Sequence, residues 1–286
     1  LRGWYGLPLS DLARLVFVSH QALRFADPTA KFGLQLCFEQ TLGFLLDDAD
    51  YPAAQYLDFV DFHTYAGPGS DTLIERKEGL LVMLGLMKDE YEKRGLALPE
   101  FLCTECGYPG DESLGEAYGL LVQRAAAPKT QISGAAAGLV TVCWYGLMDP
   151  CWQNMGLLGD TSKLGQDGAG VERKPAYWAY RTCAELLAGL SNEQLVFSKE
   201  LEVGDEARAY LFTGKTGEVL CACWAIDWEG TPSLKREVVL LLPEGQYMEY
   251  HWDYSRTREE AGERTCDGQL ALEVGIDPVY LVRRLD

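Results

Sequence analysis

The chain has 286 residues, a composition that is ordinary for a folded protein, and a formal net charge of −18 at pH 7. This length allows one large domain, or a domain with a smaller one appended. The negative charge and the lack of a basic stripe in the sequence argue against nucleic acid as a partner, because nucleic-acid binders need clustered Lys and Arg side chains.

From Leu1 to about Leu190, helical and strand-like segments alternate, which predicts βα units and a parallel sheet. In chain order, the pattern predicts helices over 10–26, 41–55, 72–94 and 112–127, with Pro128 interrupting the last of these. It predicts strands over 31–38, to Tyr65, to Glu105 and to Trp144. A final helix is expected to begin at Lys174-Pro175 and to end near Gly189.

Residues 130–148 carry no charged side chain, so their composition resembles that of a membrane span. Polar residues and glycines interrupt this run, among them Gln131, Ser133 and Gly134. A buried helix followed by a buried parallel strand has the same composition. We therefore predict that the chain has no membrane partner.

The pattern changes after residue 190, where short strands with Gly and Pro between them replace the helix-strand alternation. The predicted strands cover 194–198, 207–213, 218–225, 236–242, 246–251, 269–274 and 279–284. Their even spacing is typical of a small antiparallel β-sandwich. The sequence thus predicts an α/β domain over 1–190 and a β-sandwich domain over 191–286.

The chain contains nine cysteines and three histidines. Cys221 and Cys223 lie in an apolar run, where a free thiol behaves as a small hydrophobic group, and this favours a reducing compartment. Secretion stays open because the chain begins with Leu1 rather than Met. The histidines are scattered along the sequence, so we predict no metal site and no cofactor.

Three predicted strands end in a polar or aromatic side chain, namely His63, Glu105 and Trp144. In a (β/α)₈ barrel the chemistry lies at the C-terminal ends of the parallel strands, so these groups would converge on one cleft. A carboxylate there suits attack on an anomeric carbon, because glycosidases use two carboxylic groups. A structural Glu that pairs with an Arg fits the local pattern equally well.

The motifs around these residues resemble those of clan A glycoside hydrolases, which are retaining (β/α)₈-barrel enzymes. Thr104-Glu105-Cys106-Gly107 is similar to their Thr-Glu-x-Gly at the end of strand seven. Phe62-His63-Thr64-Tyr65 is similar to their strand-six His-x-Tyr, and Trp144 to their strand-eight tryptophan. The Lys174-Pro-Ala-Tyr-Trp-Ala-Tyr helix followed by a β-domain is also typical of that clan, notably of relatives of β-xylosidases and α-L-iduronidases.

The resemblance implies a role for each of these residues. Glu105 would be the nucleophile, and His63 and Tyr65 would hydrogen-bond to the nucleophile and the sugar. Trp144 would form an apolar platform under the sugar ring. For His63 the alternative is a bond to a neighbouring backbone group, and for Trp144 it is packing in the core.

The N-terminal part of the family pattern is absent from this sequence. Clan A enzymes take their acid/base from an Asn-Glu pair at the end of strand four, and Asn192-Glu193 lies past the last predicted helix. Residues 1–190 also provide only four strand-helix units, whereas a closed barrel needs eight. We therefore expect the C-terminal half of a barrel, with the N-terminal half and the acid/base upstream of Leu1.

The sequence thus predicts a retaining glycoside hydrolase that cleaves an oligo- or polysaccharide and needs no cofactor. The main alternative is a carbohydrate-binding or degenerate half-barrel protein without turnover. A metal-dependent barrel hydrolase would need several His and Asp residues at strand tips, and the sequence does not place them there.

Overall fold

The computed structural model of the protein describes residues 8–36, 39–52, 56–65, 69–76, 79–110, 116–149, 154–160, 170–189, 195–259 and 261–283. The first part of the chain alternates helices with strands. Its elements are α1 (Leu9–Ala26), β1 (Gly33–Leu36), α2 (Glu39–Asp47), β2 (Phe59–Tyr65), α3 (Thr72–Glu75), α4 (Leu80–Glu92), β3 (Glu100–Gly107), α5 (Glu116–Ala136), β4 (Thr141–Trp144), β5 (Met148–Asp149), β6 (Leu158–Asp160) and α6 (Pro175–Leu187).

Strands β1 to β4 form one parallel sheet in which the spatial order follows the chain order. One face of this sheet is covered by helices, and Val60 and Phe62 of β2 are fully buried in the same core cluster as Met87 of α4. Side chains of a strand alternate between the two faces, so the intervening residues of β2 face away from these helices. The predicted βα units and parallel sheet are therefore confirmed.

The single helix predicted over 72–94 is wrong, because the structure has two helices, α3 and α4. Arg76 ends α3 in an extended conformation, and Gly79 precedes α4 with φ −76° and ψ 161°. A Cβ atom at Gly79 would lie 2.7 Å from the carbonyl carbon of Ile74. The chain therefore turns at a point where only glycine fits against the end of α3.

The predicted interruption at Pro128 is also wrong, since α5 continues through this residue to Ala136. Proline removes one backbone hydrogen bond from a helix. Here both sides of Pro128 are buried, with Ala125, Ala127 and Thr130 inaccessible to solvent, and α5 packs along α6. This packing holds the helix together across the missing bond.

The second part of the chain is antiparallel. It contains β7 (Val196–Glu200), β8 (Ala207–Thr213), β9 (Val219–Ala225), β10 (Arg236–Leu241), β11 (Gly245–Tyr250), α7 (Tyr254–Thr257), β12 (Gly262–Cys266), β13 (Gln269–Val274) and β14 (Val279–Arg283). Six strands form one sheet in the order β12-β11-β14-β9-β8-β7, and β10 pairs with β13 in a second. Leu240 and Leu272 of the small sheet share a buried cluster with Cys221 and Leu281 of the large one, so the two sheets pack face to face.

The predicted strands after residue 190 are confirmed within a few residues, but β12 was missed. Four of its five residues, in Gly262–Thr265, are exposed or half-buried, and it lies at the edge of the six-stranded sheet. An edge strand with little buried surface carries no apolar alternation for sequence reasoning to detect.

The other face of the six-stranded sheet packs on the helices of the first part. Cys183 and Leu186 of α6 and Ile132 of α5 lie in one buried cluster with Phe212 and Trp224 of the large sheet. The two parts of the chain therefore share a buried hydrophobic contact.

A buried ion pair lies at this contact. The ammonium group of Lys129 in α5 is 2.6 Å from a carboxylate oxygen of Asp71, and the two side chains are 0% and 1% exposed. Asp71 also accepts hydrogen bonds from the indole of Trp224 at 2.9 Å and from the backbone N–H of Asp227 at 2.7 Å. A single carboxylate thus bonds to both parts of the chain.

Seven cysteines lie in the described ranges, and all of them are free thiols. Burial raises the pKa of the Cys183 thiol to about 12, which keeps it protonated at neutral pH. Among the helices of the described ranges, none is long and apolar enough to cross a lipid bilayer.

We expect Asp71→Ala to lower the free energy of unfolding by at least about 3 kcal/mol, because it leaves the buried charge of Lys129 without its partner. The double variant Asp71→Ala/Lys129→Met should lose less than the sum of the single variants. Denaturant unfolding measures both quantities.

The matched control is the surface pair of Lys31 and Glu100, whose side chains are 61% and 43% exposed. Glu100→Ala should cost about 1 kcal/mol or less. An Asp71→Ala protein as stable as this control would contradict the structural role of the buried pair.

Candidate active site

The candidate site lies on the face of the parallel sheet that α4 does not cover, near the C-terminal ends of β2 and β3. Along β2, Val60, Phe62 and Thr64 are buried against the core, whereas His63 and Tyr65 are half-buried on the opposite face. Asp61 shares this second face because strand side chains alternate. The strand therefore presents a carboxylate, an imidazole and a phenol in a row.

Strand β3 brings Glu105 to the same face. His63 is the register partner of Glu105, and Tyr65 is the partner of Gly107. Paired residues on adjacent strands point to the same side of a sheet. The sequence predicts that His63, Glu105 and Trp144 converge at neighbouring strand tips, and the structure brings His63 and Glu105 together with Tyr65 beside them.

Both oxygens of the Glu105 carboxylate have a partner on β2. The hydroxyl of Tyr65 donates a hydrogen bond to Oε1, and Nδ1 of His63 lies 2.8 Å from Oε2. The side chains of Glu105 and His63 retain 25% and 28% of their exposure. The carboxylate is thus fixed in orientation from one side and accessible from the other.

The Tyr65 phenol is held in its neutral form. Desolvation by burial and the hydrogen bond to Glu105 raise the pKa of Tyr65 well above its usual value. A phenol that stays protonated remains a donor over the whole range of pH in which proteins are stable. Its hydroxyl can therefore keep donating a hydrogen bond to the Glu105 oxygen.

Asp61 and Thr104 form a further set of contacts next to His63. Asp61 accepts hydrogen bonds from the backbone N–H of Thr104 at 2.9 Å and from its hydroxyl at 2.6 Å. The Thr104 hydroxyl lies 3.4 Å from Nε2 of His63. The imidazole therefore stands between the Asp61–Thr104 pair and the Glu105 carboxylate.

Trp144 lies away from these groups. Its register partner on β3 is Cys106, which faces the core. The indole is 9% exposed and donates a hydrogen bond to the backbone carbonyl of Met155 at 2.8 Å. This placement favours the packing role that the sequence left open for Trp144, and a role in sugar binding stays a prediction.

The aromatic side chain that the structure places beside the site is Tyr145, which the sequence analysis missed. It is half-buried, and its ring lies 6.2 Å from the ring of Tyr65 at an angle of 87°. Its backbone N–H bonds to the carbonyl of Cys106, so it continues the ladder between β3 and β4. Because strand side chains alternate, the residue after a buried Trp144 faces the site.

The two cysteines next to Glu105 are not candidates for a thiol nucleophile. Cys103 and Cys106 are both fully buried. The hydrogen bond to Cys106 and desolvation raise the pKa of Cys103 far above its usual value. A buried structural thiol is inert as a nucleophile. Within the described part of the chain, no group of three or more His, Cys, Asp or Glu side chains could hold a metal ion.

Several solved structures with a similar fold are glycoside hydrolases. A family 39 glycoside hydrolase from the gut symbiont Bacteroides cellulosilyticus WH2 superposes with a TM-score of 0.66 at 18% identity, covering 95% of this chain and 54% of that one. A family 51 α-L-arabinofuranosidase from Bifidobacterium longum gives 0.64 at 11% identity, with 98% and 64% covered. A monomeric β-xylosidase from Caulobacter crescentus CB15 gives 0.54 at 13% identity, with 96% and 65% covered.

No model of a known protein family matches the sequence, and no curated protein matches it. The resemblance to clan A barrel glycosidases is confirmed at the level of the fold. The chain spans between 54% and 65% of the length of these three structures.

We expect the Tyr65 phenol to resist ionisation when the pH is raised through 10. In protein labelled with ¹³C at the tyrosine Cζ atoms, the Tyr65 resonance, assigned with Tyr65→Phe, should keep its position between pH 9 and 11 while exposed tyrosines shift. The matched control is Glu105→Gln, which removes the carboxylate charge. A Tyr65 resonance that titrates like those of exposed tyrosines would contradict the assigned hydrogen bond.

We expect Trp144→Ala to lower the free energy of unfolding by about 3 to 5 kcal/mol, because it empties a buried volume and removes the donor to Met155. Tyr145→Ala serves as the comparison and should cost less, since its ring is half-buried. Thermal or denaturant unfolding of the two variants measures the difference. Equal stabilities would instead support an exposed, sugar-facing Trp144.

Proposed function

We propose that the chain is the C-terminal part of a retaining glycoside hydrolase with Glu105 as its nucleophile. The observation that carries this proposal is the Glu105 carboxylate, which stands half-exposed at a strand tip with one oxygen bonded to Tyr65 and the other 2.8 Å from His63. A nucleophile must be held in one orientation and still be reachable by substrate. This carboxylate meets both conditions.

In the proposed reaction, a Glu105 oxygen forms a bond to the anomeric carbon as the glycosidic bond breaks. A second carboxylic acid gives its proton to the departing oxygen. The same group then takes a proton from water, whose oxygen displaces Glu105 and releases the sugar. His63 and Tyr65 keep the carboxylate oxygens in place during the attack.

The second carboxylic acid is proposed to lie upstream of Leu1. Asp61 shares the face of Glu105, but it is buried and its two oxygens bond to Thr104. It is therefore unsuited to protonate a leaving group. In this proposal β1 to β4 are the last four strands of a (β/α)₈ barrel, and a preceding half of the barrel pairs with β1 and β4, which stand at the two ends of the parallel sheet formed by the described residues.

The coverage of the similar structures supports this arrangement, because the chain matches only 54% to 65% of them. Residues 191–286 are proposed to form a non-catalytic β-sandwich domain that packs on the barrel. The substrate class is an oligo- or polysaccharide. We propose that Tyr145, whose ring lies beside that of Tyr65, presents an aromatic surface to a sugar ring.

The second candidate function is carbohydrate binding without turnover. The burial of Asp61 favours it, because Glu105 is then the accessible carboxylate on this face of β2 and β3 near the described strand tips. A retaining glycosidase uses two carboxylic groups. The two candidates differ in what the loss of the Glu105 charge should do: an enzyme loses its rate, and a binding protein changes its affinity.

We expect Glu105→Gln in the full-length protein to lower kcat on aryl glycosides by at least about 10³-fold, which is about 4 kcal/mol of activation free energy. The matched control is Glu100→Gln, a carboxylate at the other end of β3 that pairs with Lys31 on the surface. This control should keep the rate of the unmodified protein. A Glu105→Gln enzyme with near-normal turnover would remove Glu105 from the mechanism.

A further inference from the structure

Glu105 faces the site because of an irregularity in β3. Asp61 of β2 pairs with Leu102 of β3, but His63, two residues further on, pairs with Glu105. Two steps along β2 thus correspond to three steps along β3. The pairing of β3 with β4 shifts over the same stretch, between Cys103 and Cys106. Strand β3 therefore carries one inserted residue, a β-bulge.

Without this insertion the nucleophile would be on the wrong face. In regular pairing, Thr104 would lie opposite His63, and Glu105 would lie opposite Thr64. Thr64 is 2% exposed and faces the buried side of the sheet. A shift of one residue moves each side chain to the other face. The bulge is thus the feature that turns Glu105 towards His63 and Tyr65.

A bulge leaves its inserted residue without a partner in the strand ladder, so something must satisfy that residue. Here Thr104 is inserted, and its backbone N–H donates to Oδ1 of Asp61 at 2.9 Å. Its hydroxyl donates to Oδ2 of the same carboxylate at 2.6 Å. Asp61 is 7% exposed and replaces the missing ladder contact with both of its oxygens.

The core side of the bulge is held as well. Because of the inserted residue, Cys103 and Cys106 both point into the core, although an even alternation would separate them. The Cys103 thiol donates to the backbone carbonyl of Glu105 at 3.6 Å, and the Cys106 thiol donates to the carbonyl of Cys143 at 3.3 Å. Thiols are weak donors, so the carboxylate of Asp61 supplies the stronger contact.

We propose that Asp61 is a positioning residue, which holds the β3 bulge through Thr104 and so keeps Glu105 on the site face next to His63. The consequence for catalysis rests on the proposed function of Glu105. The structural part does not, because the bulge and its contacts exist whether or not the protein turns over a substrate.

The structural part is tested by nuclear magnetic resonance on the ¹⁵N-labelled protein. Asp61→Ala should speed amide exchange at Thr104 by about tenfold or more, since a hydrogen bond to a charged acceptor is lost. It should also shift the imidazole signals of His63. Asp61→Asn keeps one acceptor and should give an intermediate effect.

The matched control is Asp58→Asn, which removes a carboxylate charge just before β2 where Asp58 pairs with Arg24. It should leave Thr104 exchange and the His63 signals unchanged. Asp61→Ala protein with the exchange rate and His63 signals of the unmodified protein would overturn the proposal.

If Asp61→Ala fails to fold, the Thr104 hydroxyl provides the test. Thr104→Ser keeps the donor to Asp61, whereas Thr104→Val removes it at nearly the same volume. The His63 signals should shift in the valine variant and stay close to their original positions in the serine variant. Equal signals in the two variants would overturn the proposal.

The catalytic consequence is measured in the full-length protein. Asp61→Ala should lower kcat by about 10²-fold with KM little changed, because a displaced nucleophile loses reactivity while the substrate still binds. A normal kcat in Asp61→Ala, with altered exchange at Thr104, would overturn the catalytic consequence alone. If the unmodified protein has no glycosidase activity, the proposed function fails and the exchange data still decide the role of Asp61.

Discussion

The site depends on the register between two neighbouring parallel strands, which sets His63 opposite Glu105. Each contact of the nucleophile candidate follows from that register, because it places the imidazole on one carboxylate oxygen and the Tyr65 hydroxyl on the other. The register requires one inserted residue in β3, and the side chain of Asp61 satisfies that residue. Asp61, two residues before His63, is therefore part of the same arrangement as His63, Tyr65 and Glu105.

The antiparallel sheets are joined to this arrangement through the segment that follows β2. Asp71 lies in that segment and bonds to Lys129 of α5 and to Trp224 of the six-stranded sheet. Asp71 follows β2, and Lys129 lies in the helix that follows β3, so the buried ion pair links the segments after both site strands to the second part of the chain. Burying this ion pair costs desolvation free energy, and removing one partner would destabilise the fold strongly. These properties fit a contact that fixes the relative placement of two sheets.

Local patterns in the sequence predicted much of this structure. Apolar alternation and strand-ending polar residues indicated β2 and β3, and with them His63, Tyr65 and Glu105. Tyr145 was not predicted at the site, because a strand with a period of two exposes either Trp144 or Tyr145, and the local sequence does not tell which. The roles of Asp61 and Lys129 depend on partners 43 and 58 residues away along the chain, which no local pattern reveals.

The most direct test of the account is the site of covalent labelling by a mechanism-based inhibitor. A 2-fluoro glycoside slows the second step of a retaining glycosidase, so the sugar stays bound to the nucleophile and can be located by mass spectrometry after proteolysis. In the full-length protein, the label is expected on the peptide that contains Glu105, and Glu105→Gln should abolish it. A stable label on any other carboxylate, or turnover with inversion at the anomeric carbon, would contradict the account.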